Sequence, residues 1–258
     1  MLAELTWRKK KAIRFLRDEL EGESRFVDMG VTFLVVERDL ENGKAIVDGK
    51  PPLRVVERHH FGGIVDTKVE PPRFIGPSKE PAIIPLSRAQ WKLVRHNDDM
   101  PLRLMAYGSM GAGKTTVLAA WVTLRIIEST GISGGVGGVT APTNPRMTQV
   151  KEMLGGLSWK GGGMWPRSWF RWKEIDRRAY MANGIAVEFR STHKSSAAEG
   201  SPIQGQNWIW HAGDELQDSV DVDGDIEARG RAAPDGRYRR LNTVTAKDHP
   251  EWRTFRAR

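Results

Sequence analysis

From Pro101 to Arg125 the chain reads PLRLMAYGSMGAGKTTVLAAWVTLR, and this stretch leaves few folds open. Leu102, Leu104, Met105 and Ala106 make a short apolar run of strand character, and a helix-grade sequence runs from Val117 to Ile127. Between them stand Gly108, Ser109, Met110, Gly111, Ala112, Gly113, Lys114, Thr115 and Thr116. The pattern G-x-x-x-x-G-K-[ST] in a strand–loop–helix context is a phosphate-binding P-loop. The three glycines let the backbone turn tightly, so that successive N–H groups point at one anion. The following helix adds its N-terminus and the positive end of its dipole. Lys114 is expected on the β- and γ-phosphates and the Thr115 hydroxyl on Mg²⁺. The eight-residue pattern arises by chance in roughly one chain in fifty to a hundred.

A second local pattern complements the first. Trp208 to Glu215 reads WIWHAGDE, an apolar-rich strand ending in two adjacent carboxylates. Asp214 is expected to hold Mg²⁺ beside Thr115, and Glu215 to polarise the attacking water. His211 interrupts the apolar run and reads as a satisfied buried or edge histidine rather than a ligand. Eighteen residues before the loop stands Gln90, whose amide both donates and accepts and so matches an adenine edge. The last strand candidate, Tyr238 to Thr245, carries Thr243 and Thr245, polar groups suited to sensing a γ-phosphate.

The rest of the chain frames these patterns. At 258 residues it is long enough for one large α/β domain with an extra piece. It contains no cysteine, which excludes disulfides and thiolate metal sites. No apolar run is long enough to span a membrane, so no membrane partner is expected and the cytoplasm is the expected location. The net charge is +8, with Lys and Arg clustered at 8–11, 171–178 and 237–240 and three more Arg at 253–258, which favours a polyanionic partner. Residues 2–22 have helical spacing of Leu2, Leu5, Ile13, Leu16 and Leu20, and residues 31–56 are strand-like. Five prolines within 70–85 predict an extended connector. The expected division is therefore an N-terminal α+β extension over 1–75 and a P-loop domain over 76–258.

Residues 134–143 predict a second buried strand, with a helix from Arg146 to Leu154. The Gly-rich stretch GGLSWKGGGMW predicts a mobile loop, and the tryptophans at 159, 165, 169 and 172 are expected in the core rather than stacked on bases. Asn183-Gly184 predicts a β-hairpin with strands near 173–182 and 185–190. The acidic run Asp218, Asp221, Asp223, Asp225 and Glu227 has no EF-hand register and reads as a solvated loop and helix start.

The order of these parts resembles the ATPase domain of the large terminase subunit of tailed bacteriophages, over about 82–255. It rests on Gln90, the P-loop, Ala141-Pro142-Thr143, the Asn183-Gly184 hairpin, Phe189-Arg190-Ser191, Asp214-Glu215 and Thr243-Val244-Thr245. The strand at 134–141 and the hairpin separate the P-loop from the acids, as in additional-strand (RecA-like, ASCE) NTPases. The resemblance implies a mostly parallel sheet flanked by helices with an inserted hairpin. It implies ATP and Mg²⁺ as cofactors, Gln90 as the adenine-recognition residue, Glu215 and Lys114 as catalytic residues, and Thr243 to Thr245 as a coupling motif. It also implies packaging of double-stranded DNA into a procapsid in the host cytoplasm, at the portal vertex. The partners it implies are a homo-oligomeric ring, the portal protein and the small terminase subunit.

Large terminases carry a nuclease domain after the ATPase. Cleavage by this chain is not expected: either it is a fragment, or the nuclease resides on a separate chain, which would then be a partner. The P-loop holds no arginine, so a cis arginine is expected to be missing. Arg146, Arg190, Arg229 and Arg231 are the candidates for an arginine finger from a neighbouring subunit. Two other functions fit a P-loop: a helicase-like nucleic-acid-dependent ATPase, and an ATP-dependent scaffold or regulator without processive motion.

Overall fold

A computed structural model describes residues 25–38, 52–95, 103–109, 111–156, 162–192, 203, 207–216, 223–230, 233 and 238–245. The expected helix over 2–22, Met110, Trp159, Arg231, Asp218 and Asp221 lie outside these residues.

The N-terminal part supplies β1 (Phe26–Asp28), β2 (Val31–Arg38), β3 (Leu53–Phe61), β4 (Gly63–Asp66), β5 (Arg73–Pro77) and β6 (Ala82–Ser87). They form two three-stranded sheets, ordered β1-β4-β5 and β3-β2-β6. In β2 the side chains alternate, so Val31, Phe33 and Val35 are buried. Phe33 meets Trp91 of α1 (Arg88–Val94) with ring centroids 5.3 Å apart. The proline-rich stretch is therefore not the expected connector, because it builds β5 and β6. Both are edge strands, where a proline need not donate to the ladder. The expected boundary at 75/76 runs through β5.

The remainder supplies β7 (Arg103–Gly108), α2 (Lys114–Glu128), β8 (Val136–Ala141), α3 (Asn144–Gly155), β9 (Phe170–Lys173), β10 (Arg178–Met181), β11 (Ala186–Ser191), β12 (Trp210–Gly213), α4 (Asp223–Ala228) and β13 (Arg239–Thr245). A seven-stranded sheet runs in the order β7-β13-β12-β8-β11-β10-β9. Its first five strands are mutually parallel; β10 then runs antiparallel to β11, and β9 antiparallel to β10. The first arm of the expected hairpin is broken at Glu174–Arg177. There Arg177, at φ 52°, donates its N–H to the Glu174 carbonyl and divides the arm into β9 and β10.

One position differs from the sequence expectation. In space it is β13, not β8, that lies between β7 and β12. The acids at the end of β12 are thus one strand removed from the loop, and β13 carries its threonines into the gap.

Helix α2 is buried from Val117 to Ile127 without a polar face, because it is covered on all sides by the sheet, α1 and α3. Gly137 and Gly138 of β8 admit the indoles of Trp210 and Trp208; a Cβ would stand 2.0 Å and 2.2 Å from them. Trp165 and Trp169 are wholly buried, and Trp169 donates its indole N–H to the Asp28 carbonyl at 2.7 Å. Buried residues from β1 to β13 form the main apolar core, and Ile203, Trp208, Leu216, Ile226 and Tyr238 form a second, smaller cluster.

Candidate functional site

The loop from Gly108 to Lys114 leaves β7 at its C-terminal end and enters α2. Gly111 and Gly113 have φ of 79° and 72°, a left-handed backbone that glycine adopts without strain. Lys114 Nζ folds back into this loop, donating to the carbonyls of Gly108 at 3.1 Å and Ser109 at 2.8 Å. The ammonium is thus held against the loop by two neutral backbone acceptors.

Gln90 is drawn to the same loop, but its amide is occupied. Its carbonyl accepts the Ser87 N–H at 2.8 Å in a capping box that starts α1, and its NH₂ donates to the Gly113 carbonyl at 3.4 Å.

Opposite the loop, β12 ends in Gly213 and hands over to the two acids. A Cβ on Gly213 would lie 2.4 Å from the Leu216 side chain, which would have to shift to admit it. Asp214 is buried, and its Oδ1 accepts from Thr243 Oγ1 at 2.7 Å and from Thr115 Oγ1 at 3.4 Å. Burial pushes its carboxyl above the ordinary range, and the Glu215 charge adds to that; Thr243, Arg146 and Thr115 oppose it. Glu215 has a left-handed backbone, φ 48°, a strained state for a residue with a Cβ. Its N–H donates to Thr243 Oγ1 at 3.0 Å, and its Oε1 accepts from Thr245 Oγ1 at 2.9 Å. Thr243 therefore bridges the two acids, and Thr245 fixes the second.

The four candidate arginines part company. Arg146 reaches into the site of its own chain, with a terminal nitrogen 3.2 Å from Glu215 Oε2. An arginine of the same chain thus stands beside the acids, and it pairs with Glu215 rather than with the loop. The reason is strand order: Thr143 caps α3 at the C-terminal end of β8, and β8 pairs with β12, so the first turn of α3 arrives beside the acids. Arg190, half-buried, is bound to the buried Glu188 at 2.6 Å on β11, the neighbour of β8. Arg229 lies just past α4, and its Nε is buried without a hydrogen bond among the described residues. Arg231 is outside the described residues. Thr116, in the first turn of α2, is half-buried.

The oxygen donors of Thr115 and Asp214 suit a hard divalent cation, and a buried carboxyl pushed upward gains from one. Among the described residues, no three His, Cys, Asp or Glu converge to hold a metal by themselves. Mg²⁺ fits such a pair, because it takes one or two protein oxygens and completes its shell with waters and phosphates.

No protein-family model matches the chain, and no curated protein matches it. Solved structures of phage large terminases are similar to part of it. The large terminase from a thermophilic bacteriophage is 18% identical over 62% of this chain and 39% of its own, with a TM-score of 0.44. This chain therefore spans about two-fifths of that protein's length. The HK97 bacteriophage large terminase is 13% identical over 66% of this chain and 34% of its own, at 0.42. The Thermus phage P74-26 large terminase ATPase domain is 14% identical over 66% and 73%, at 0.41. The first of these three terminases has also been solved with ADP and with ATP-gamma-S. Among the described residues, no helix is long and apolar enough to cross a membrane.

Proposed function

We propose that this chain is a Mg²⁺-dependent ATPase of the additional-strand P-loop type. We propose further that it works as the motor part of a phage terminase, driving double-stranded DNA into a procapsid. One observation carries the hydrolytic reading. Thr115 of the loop and Asp214 of β12 lie far apart in the chain, yet their oxygens meet at 3.4 Å with Glu215 alongside. The additional strand is then β13, and its threonines touch both acids. The DNA reading rests on the order of motifs and on the +8 charge.

In this reading the loop amides and Lys114 bind the phosphates, and Thr115 and Asp214 hold the cation. Mg²⁺ when bound neutralises charge developing on the γ-phosphate. Glu215 accepts a hydrogen bond from the attacking water and orients it in line. Thr243 and Thr245 join both acids to β13, so loss of the γ-phosphate passes into that strand. Gln90 sits on the loop through Gly113 and would have to leave that carbonyl to read an adenine edge. The proposed partners are further copies in a ring, the portal protein, the small terminase subunit and a nuclease chain, in the host cytoplasm.

Phosphate release measured with and without double-stranded DNA, alone and with portal-bearing procapsids, tests the reading. DNA is expected to stimulate turnover, and Lys114→Ala and Glu215→Gln to abolish it. Unchanged hydrolysis in Glu215→Gln overturns the assigned chemistry, and turnover indifferent to DNA overturns the motor.

A further inference from the structure

At the tip of the turn between β9 and β10 stands Ile175, 91% exposed, the most exposed large apolar side chain among the described residues. A single apolar residue in solvent is ordinary. What sets this one apart is how firmly the chain around it is held. Trp172 donates its indole N–H to the Glu174 carboxylate, Lys173 pairs with Asp176 at 3.1 Å, and the Tyr180 hydroxyl donates to Asp176 at 2.6 Å. Arg177 donates its N–H to the Glu174 carbonyl at 3.0 Å and accepts the Phe189 N–H at 2.9 Å. A knob fixed in this way loses little further freedom when it docks.

A matching hole lies at the other end of the same sheet. Where α2 ends and β12 and β13 begin, a cavity of about 290 Å³ is lined by Ile132, Ile209 and Trp210 together with Arg125, Glu128 and Arg239. Small-molecule sites run from about 300 to 1,000 Å³, so this one suits a side chain better than a cofactor. Arg125 is 4% exposed, stands 5.4 Å over the Trp121 ring and pairs with Glu128 at 2.7 Å, which fixes it in the wall. The two arginines outnumber the one acid, and the turn carries the exposed Glu174 next to Ile175. The remaining charges, Arg177 on the turn and Glu128 at the cavity, are opposite as well. An apolar floor with a basic wall thus matches an isoleucine flanked by a glutamate.

The turn lies toward the C-terminal ends of the parallel strands, where the P-loop also sits, and the cavity lies at their N-terminal ends. A contact between two such different patches joins copies head to tail, the kind that closes into a ring or runs on as a filament. Resting on the ring in the reading above, we propose that Ile175 of one copy seats in this cavity of the next, with Glu174 on Arg239. The contact turns the N-terminal end of one sheet toward the loop-bearing end of its neighbour.

The chain has no cysteine, so single cysteines report the contact without background. Arg177→Cys, beside the knob, and Ser133→Cys, beside Ile132, are both at exposed positions. Mixed with a short bis-maleimide, the two chains are expected to give a covalent dimer that neither gives alone. Adding Ile175→Asp or Glu174→Arg to the first chain is expected to lower the yield roughly tenfold, and Arg239→Glu on the second to restore it for Glu174→Arg. A mixed dimer indifferent to Ile175→Asp overturns the proposal. Dimers of equal yield from either chain alone overturn it too, because they mark a two-fold contact. No mixed dimer from chains that self-associate in sedimentation, or that assemble on portal-bearing procapsids, leaves the ring standing and overturns this contact, giving the cavity to another protein. Chains that stay single in both settings overturn the ring and the contact together, while DNA-stimulated hydrolysis tests the motor separately.

Discussion

Two acid centres sit on the same central sheet and are built in opposite ways. Glu188, within β11, is wholly buried, and fixed donors answer its charge. Arg190 binds one oxygen through Nε at 2.7 Å, and Arg178 and the Trp208 indole bind the other at 3.2 Å and 3.3 Å. Asp214 is buried too, yet its Oδ1 meets the hydroxyls of two threonines, and burial pushes its carboxyl upward. Beside it, Glu215 holds a strained backbone and an arginine that is only half-buried. The first centre is complete without a ligand. The second is left short of positive charge at the edge where the loop arrives, which is what a site awaiting a cation and a polyanion requires.

The largest expected effect is at the complete centre. Glu188→Ala leaves Arg178 and Arg190 facing each other without their acid, and is expected to cost about 3–5 kcal/mol in urea unfolding. Asp214→Asn is the contrasting substitution. A carboxyl held above its ordinary range costs stability once it ionises, so the amide is expected to leave the unfolding midpoint unchanged or raised. Hydrolysis should meanwhile fall roughly a hundredfold or more. The contrast breaks if Asp214→Asn destabilises the fold as Glu188→Ala does.

The packing between the two centres gives smaller effects. Gly137→Ala drives a methyl to 2.0 Å from the Trp210 ring and is expected to cost about 1–3 kcal/mol, read from the thermal midpoint. His211 of β12 is wholly buried, shares a 2.8 Å hydrogen bond with Thr140 and stacks on Trp208, and its Nδ1 has no partner among the described residues. The sequence reading of a satisfied histidine is thus half met. Burial first, and the Arg240 charge second, hold its pKa well below the ordinary value. Protons therefore bind the unfolded chain preferentially. The stabilisation is present above the unfolded pKa of about 6.5 and is lost as pH falls below it, at about 1.4 kcal/mol per unit. Urea midpoints between pH 7 and pH 5 should show a shallower slope in His211→Gln.

The local patterns are legible in the sequence because their chemistry is local. Gly108 to Thr115 dictates a turn whatever surrounds it, and WIWHAGDE dictates a buried strand with an acidic end. What depends on strand order is not legible. No residue of RRLNTVT announces that β13 inserts between β7 and β12, and Arg146 meets Glu215 only because β8 pairs with β12. Gln90 is an intermediate case. Ser87-Arg88-Ala89-Gln90 carries the S-x-x-Q capping box, a local signal that accounts for half of the amide before any nucleotide is considered. The prolines at 77 and 85 mislead for a related reason: they exclude a central strand, and an edge strand remains open to them.

The smallest effect is also the most specific, because it is a sign. Both Glu215→Ala and Glu215→Gly remove the carboxylate together with its bonds to Thr245 and Arg146, so those losses cancel between them. At an ordinary φ, glycine is the less stable of the pair by about 0.5–1 kcal/mol, because the unfolded chain gains freedom. At φ 48° the order inverts, since a Cβ there is itself strained by about 1 kcal/mol. Glu215→Gly is therefore expected to unfold at higher urea than Glu215→Ala. The same pair of substitutions at Glu188, in regular strand backbone, should show alanine ahead. Alanine ahead at both positions would mean that the acid pair at the end of β12 is no more strained than the buried acid of β11, and the difference between the two centres would reduce to charge alone.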